Sequence, residues 1–156
     1  MEEENSKLLE DFISKIEQWI EVNEVIYGSK FDREETTKIL SMSKTEFGNL
    51  NRNDCIEYIF ILNQYLMHLN TIVSKEKAIK NWSEQFMSFL VNDATKDDSI
   101  MSRDRRQYIA LKTNTLCKNL NVLKIHSESR IIIAENQIQY IENIAKILER
   151  KLYEKP

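Results

Sequence analysis

Residues 103–153 read RDRRQYIALKTNTLCKNLNVLKIHSESRIIIAENQIQYIENIAKILERKLY, and this stretch decides the fold. It contains no Gly and no Pro. Ile109, Leu116, Leu120 and Leu123 keep a spacing near 3.5 residues, and Ile131, Ala134, Ile138, Ile141, Ala145, Leu148 and Leu152 resume it after a shift of register. Sustained three- and four-residue spacing of this kind marks a helix that packs on another helix in the manner of a coiled coil. Between the two runs lies His126-Ser-Glu-Ser-Arg130, polar where the seam should be apolar. It reads either as a layer that fixes register or as a bend. A helix of about 50 residues exceeds anything else in so short a chain, so its apolar stripe predicts self-association. The stripe residues Leu116, Leu120, Leu123, Ile131, Ile138, Ile141 and Leu148 are the candidate oligomer interface.

The rest of the chain agrees. Its 156 residues hold two glycines, Gly28 and Gly48, and one proline, Pro156. Average usage would supply roughly ten and eight. Without them, tight turns and the sheets they connect lack their usual backbone conformations. The fold class predicted is all-α, as one helical domain over residues 1–156.

Three further helical stretches are predicted. Leu8, Leu9, Phe12, Ile13, Ile16, Trp19, Ile20, Val22, Ile26 and Tyr27 place a helix over 6–27, capped by Asn5 or Ser6 and ended at Gly28. Residues 29–51 break into short turns, one opened by a capping box at Asp32 and Glu35, a second opened by Ser43 with Glu46 and stopped at Gly48. A second long helix begins at Asn51 or Asn53 and runs to about Val91, some 60 Å. Tyr58, Leu62, Tyr65, Leu69 and Ile72 form its main stripe, continued by Ile79, Trp82, Phe86 and Leu90. Cys55, Ile59, Leu66 and Val73 form a second stripe beside it. A polar loop over 92–102 then returns the chain. The expected architecture is a long antiparallel hairpin, 52–91 against 103–153, with the first helix on its side.

Net charge is −3 but unevenly placed: −6 over residues 1–54, −2 over 55–102 and +5 over 103–156. The basic excess concentrates at Arg103, Arg105, Arg106, Lys112, Lys118, Lys124 and Arg130, opposed locally by Asp104 and Glu128. Tyr108, Thr113, Asn114, Asn119 and Asn121 lie among them. A positive, Asn- and Thr-rich helical surface can track a phosphate backbone. It can equally balance the acidic N-terminal third. An overall pI near 5.5 speaks against a constitutive duplex-DNA binder.

Catalytic chemistry finds no foothold. Two isolated glycines cannot build a phosphate-cradling loop. His68 and His126 lack ligand or acid–base partners at helical spacing, and the acidic pairs Glu34-Glu35 and Asp97-Asp98 sit where they favour helix dipoles. No enzyme, metal or cofactor is expected. Cys55 and Cys117 lie on apolar stripes and read as reduced core thiols of a cytoplasmic protein. No apolar run approaches the ~18 residues of a membrane span. A helix–turn–helix at 32–50 is disfavoured, because those turns are acidic where a recognition helix is basic.

Two segments carry a family resemblance. One is Asn51-Arg-Asn-Asp-Cys-Ile-Glu-Tyr-Ile-Phe-Ile-Leu-Asn-Gln-Tyr-Leu66 with Lys75-Glu-Lys-Ala-Ile-Lys-Asn-Trp82. The other is Arg103-Asp-Arg-Arg-Gln-Tyr-Ile-Ala110 with the long helix that follows. Over about 51–150 the chain resembles small all-helical bacteriophage proteins, and in general plan the recombination mediators of the UvsY type. The resemblance implies a homo-oligomer that binds single-stranded DNA and helps load a recombinase. The competing expectation is a structural or adaptor protein, such as a virion component or an inhibitor of a host protein, with a protein partner and no nucleic acid.

Overall fold

The computed structural model describes residues 7, 10–15, 18, 31–94 and 102–153. The long helices are helical because nothing interrupts them, and each helix whose start is described begins beside a side chain that accepts from its free amides. Helix α1 spans Arg33–Leu40; the Asp32 carboxylate caps it, accepting from the amides of Glu34 at 2.9 Å and Glu35 at 3.0 Å. Helix α2 spans Lys44–Asn49 and opens with the expected capping box. The Ser43 amide donates to Glu46 Oε2 at 2.7 Å, while the Glu46 amide donates to Ser43 Oγ. Gly48 does not stop this helix. It lies inside α2, which ends where Leu50 turns extended.

Helix α3 spans Arg52–Ala94. Of the two asparagines expected at its start, Asn51 is the cap, trading hydrogen bonds with Asp54 in both directions. Helix α4 spans Arg103–Thr113 and helix α5 spans Thr115–Tyr153. No strand occurs among the described residues.

The expected unbroken helix over 103–153 is therefore corrected to two helices. Asn114 separates them. Its backbone is extended, its amide donates to the Ala110 carbonyl at 2.9 Å, and its Oδ1 accepts from the amides of Leu116 and Cys117 at 2.9 and 3.2 Å. One asparagine closes α4 and caps α5.

Of the first helix expected over 6–27, residues 10–15 are helical, while most of its length and the cap at Asn5 or Ser6 lie outside the described residues. So does most of the loop expected over 92–102. The chain divides into two compact units, Ile26–Val73 with Ile132–Pro156, and Met1–Val25 with Ser74–Ile131. Helices α3 and α5 each contribute to both and pack against each other.

In the unit of Ile26–Val73 and Ile132–Pro156, the core joins Ile39 of α1, Cys55, Ile61, Leu62 and Leu69 of α3, and Ile141, Ile144, Ala145 and Leu148 of α5. Tyr58, Ile59, Tyr65, Leu66 and Ile72 pack around it, so α3 is covered on two stripes here, as its composition predicts. Lys151 donates to the Phe47 carbonyl at 2.7 Å and to that of Gly48, tying the end of α5 to the orphan carbonyls of α2.

In the unit of Met1–Val25 and Ser74–Ile131, the buried line of α3 is Glu76, Ile79, Ser83, Met87 and Val91. Trp82, Phe86 and Leu90, expected in that line, are half-buried beside it. Trp82 stacks on Phe12 with ring centroids 3.5 Å apart.

The register shift expected in α5 is absent. Cys117, Leu120, Lys124, Ser127, Ile131, Ala134, Ile138, Ile141, Ala145, Leu148 and Leu152 follow one unbroken three-four spacing, each buried or half-buried. Lys124 and Ser127 simply occupy seam positions. The helix is continuous through His126, so the polar stretch does not end it.

Candidate nucleic-acid interface

Seven basic residues were the sequence's candidates, and the structure sorts them by partner. Arg130 is bound within the protein. Its Nε and Nη2 donate to the two oxygens of Glu76 at 2.7 and 3.0 Å, a bidentate pair in which the Glu76 side chain is only 9% exposed. Lys124 lies 3.0 Å from Glu84, and Lys80 lies 3.2 Å from Glu128. As the α5 number falls from 130 to 124, the α3 partner rises from 76 to 84, so the helices run in opposite senses over this segment. Ser83 and Ser127 are fully buried in the same layer; Ser83 Oγ donates to the Ile79 carbonyl.

Among the described residues, the acidic groups that meet these cations belong to α3 and to Glu128. Sequence reasoning missed Glu76 and Glu84 as partners; their only signal was their place near the apolar line of α3.

The other five cations have no carboxylate within ion-pair distance among the described residues. Arg105 and Lys112, with Tyr108 between them, sit at positions i, i+7 and i+3 of α4 and are all exposed. Ala110, on another face of the same helix, is 2% exposed and packs with Val91 and Cys117. That packing fixes which way α4 faces and leaves Arg105, Tyr108 and Lys112 outward. The Lys112 ammonium rests over the Tyr108 ring, 4.6 Å from its centroid. Lys118 is exposed on the first turn of α5.

Arg103 and Arg106 fall on the face that carries Ala110, at positions i, i+3 and i+7. With Lys124 they line a cleft of about 490 Å³, completed by Glu84, Met87, Ser88, Val91, Asn92 and Gln107. Arg106 is half-buried, and its Nε is buried without a hydrogen-bond partner among the described residues. The polar lining from Ser88, Asn92 and Gln107 was not foreseen; Glu84, Ser88 and Val91 share one face of α3 by their spacing.

A second cavity, of about 430 Å³, lies in the unit of Ile26–Val73 and Ile132–Pro156. Phe31 packs there in tilted contact with Tyr65 and His68, with ring centroids 4.8 and 4.6 Å apart. His68 is thus an aromatic packing element, and His126 is exposed. No group of three or more metal-ligating side chains occurs among the described residues. Burial pushes both thiols, Cys55 and Cys117, above their ordinary range.

The candidate interface residues lie inside the chain. Leu120, Ile131, Ile141 and Leu148 are buried, and Leu116, Leu123 and Ile138 are half-buried. In the unit of Ile26–Val73 and Ile132–Pro156 the chain itself meets the stripe, where Ile141 and Leu148 pack with residues of α1 and α3. The apolar residues left exposed on α5 are others, among them Ile133, Tyr140 and Ile147 at seven-residue spacing; on α3 they include Ile56, Phe60 and Met67.

No described helix is long and apolar enough to cross a membrane. Comparison with protein-family models, with curated proteins and with solved structures finds no match.

Proposed function

We propose that this chain is a non-enzymatic accessory protein that acts through helix-mediated contacts and binds single-stranded nucleic acid along α4 and the start of α5. One observation carries the reading: Arg105, Tyr108 and Lys112 share an outward face of α4, with no carboxylate in ion-pair distance of the two cations among the described residues, and Lys118 follows on α5. Cations with an interleaved aromatic ring give a strand both phosphate contacts and a surface on which a base can stack. The role that fits is a recombination or replication mediator, in the style of the phage proteins the chain resembles, working in the host cytoplasm. The helices are proposed to form one long antiparallel hairpin, and the protein a homo-oligomer through the exposed apolar residues of α5.

A specific observation favours the second reading. Ile133, Tyr140 and Ile147 recur at a coiled-coil interval on the surface. They suit a protein partner, as in a virion component, an adaptor or an inhibitor of a host protein, with no nucleic acid involved.

Size exclusion with light scattering, run with a labelled single-stranded oligonucleotide, separates the two. Three or four phosphate contacts weaken binding about 20- to 50-fold between 50 and 200 mM salt. Co-elution at low salt that is lost over this range supports the first reading. An oligonucleotide never carried at any salt leaves the second.

A further inference from the structure

We propose that the cleft between the end of α3, the start of α4 and α5 seats a phosphate monoester. Resting on the single-strand reading above, we assign it as the terminal phosphate of the bound strand. Three cations converge here from two helices, Arg103 and Arg106 from α4 and Lys124 from α5, against one carboxylate, Glu84. The formal balance of these groups is +2, which complements a monoester that carries about −1.5 to −2 at neutral pH better than a diester with a single charge.

The Arg106 guanidinium supplies the second argument. Its buried Nε has no acceptor among the described residues, and a buried donor without an acceptor is costly. A phosphate oxygen supplies that acceptor, in the planar geometry for which arginine is suited. Asn92 and Gln107 add neutral amide donors at the rim. At about 490 Å³ the concavity accommodates a phosphate with part of its sugar, whereas a continuous strand needs an open groove on both sides.

The test uses the full chain. Thermal unfolding is followed with inorganic phosphate and with chloride at matched ionic strength. Phosphate is expected to raise the melting temperature saturably, and neither Arg103→Gln nor Arg106→Met should retain the rise. Arg103 is exposed, so its variant reports on binding even where Arg106→Met fails to fold.

Labelled oligonucleotides with a 5′-phosphate, a 3′-phosphate or neither are then compared. One of the terminal phosphates is expected to tighten binding about tenfold, and Arg103→Gln to erase the difference between phosphorylated and unphosphorylated strands. Phosphate acting no differently from chloride, with no gain from either terminal phosphate, overturns the cleft proposal; low-salt binding of the plain strand would then leave the single-strand reading standing. A saturable phosphate effect without oligonucleotide binding at any salt supports the phosphate site and overturns its assignment to a strand end.

Discussion

Glu76 keeps a carboxylate inside the helix pair because Arg130 meets both of its oxygens. Exposed ion pairs contribute little, but here the acid is nearly buried and the loss of its partner is costly. Arg130→Met is expected to destabilise by about 1–3 kcal/mol, or roughly 2–4 °C in Tm per kcal/mol for a chain of this size. Glu76→Gln with Arg130→Met should cost less than the two single changes added together, as thermal unfolding of the cycle would read; strict additivity would deny the coupling. Charge alone made Arg130 a candidate for phosphate contact, since its partner lies 54 positions away and leaves no mark in local sequence. The thiols were more legible: Cys55 and Cys117 are buried, as their apolar stripes predict. Burial raises both in the folded state. The unfolded chain therefore gives up its thiol protons first, so this contribution to stability is intact below ~8.5 and declines as pH rises beyond it. Urea midpoints across pH 8 to 10 should fall, and the fall should be shallower in a Cys55→Ala, Cys117→Ala variant.

Helix boundaries show where reading by breakers stops working. The absence of Gly and Pro from 103–153 rightly excluded strands, yet it also implied an uninterrupted helix. A helix can end on a side chain instead. Asn114 does so by offering its carbonyl oxygen to the next two amides but one, and the polar Thr113-Asn114-Thr115 was the available signal. Asn114→Ala should cost about 1 kcal/mol through the lost cap, and Asn114→Asp much less; equal melting temperatures for both variants would show that the cap is idle. The seam of α5 was misread for a related reason. Hydropathy awards seam positions to Leu116 and Leu123, whereas the periodic line passes through Cys117, Lys124 and Ser127. Lys124 holds its place through Glu84, and Ser127 is small enough to be enclosed. Composition reported the kind of element well but not the break at Asn114, and it could not report which polar residues have partners on a neighbouring helix.

For the molecule as a whole, the all-α class was plain from composition, while the grouping of basic residues into an outward face, a cleft and an ion pair was not. That grouping depends on how α4 is rotated, which Ala110 and its neighbours decide by packing. The ground for self-association has also moved. If a second copy is met, it is met by residues such as Ile133 and Ile147, which are more than half exposed. Light scattering is expected to give a mass above one 18.6 kDa chain, and Ile133→Glu with Ile147→Glu to bring it down without loss of helicity; a wild-type monomer would end the proposal. Each of the two units is assembled from stretches that lie far apart in the chain, and this has a consequence for birth on the ribosome. Leu62 and Leu69 emerge long before Ile141 and Leu148, with which they form one core. At ~5–20 residues per second the delay is about 4–16 s, during which apolar α3 waits uncovered. Newly made chains should therefore depend on a holding chaperone more than the finished protein's helical content would suggest.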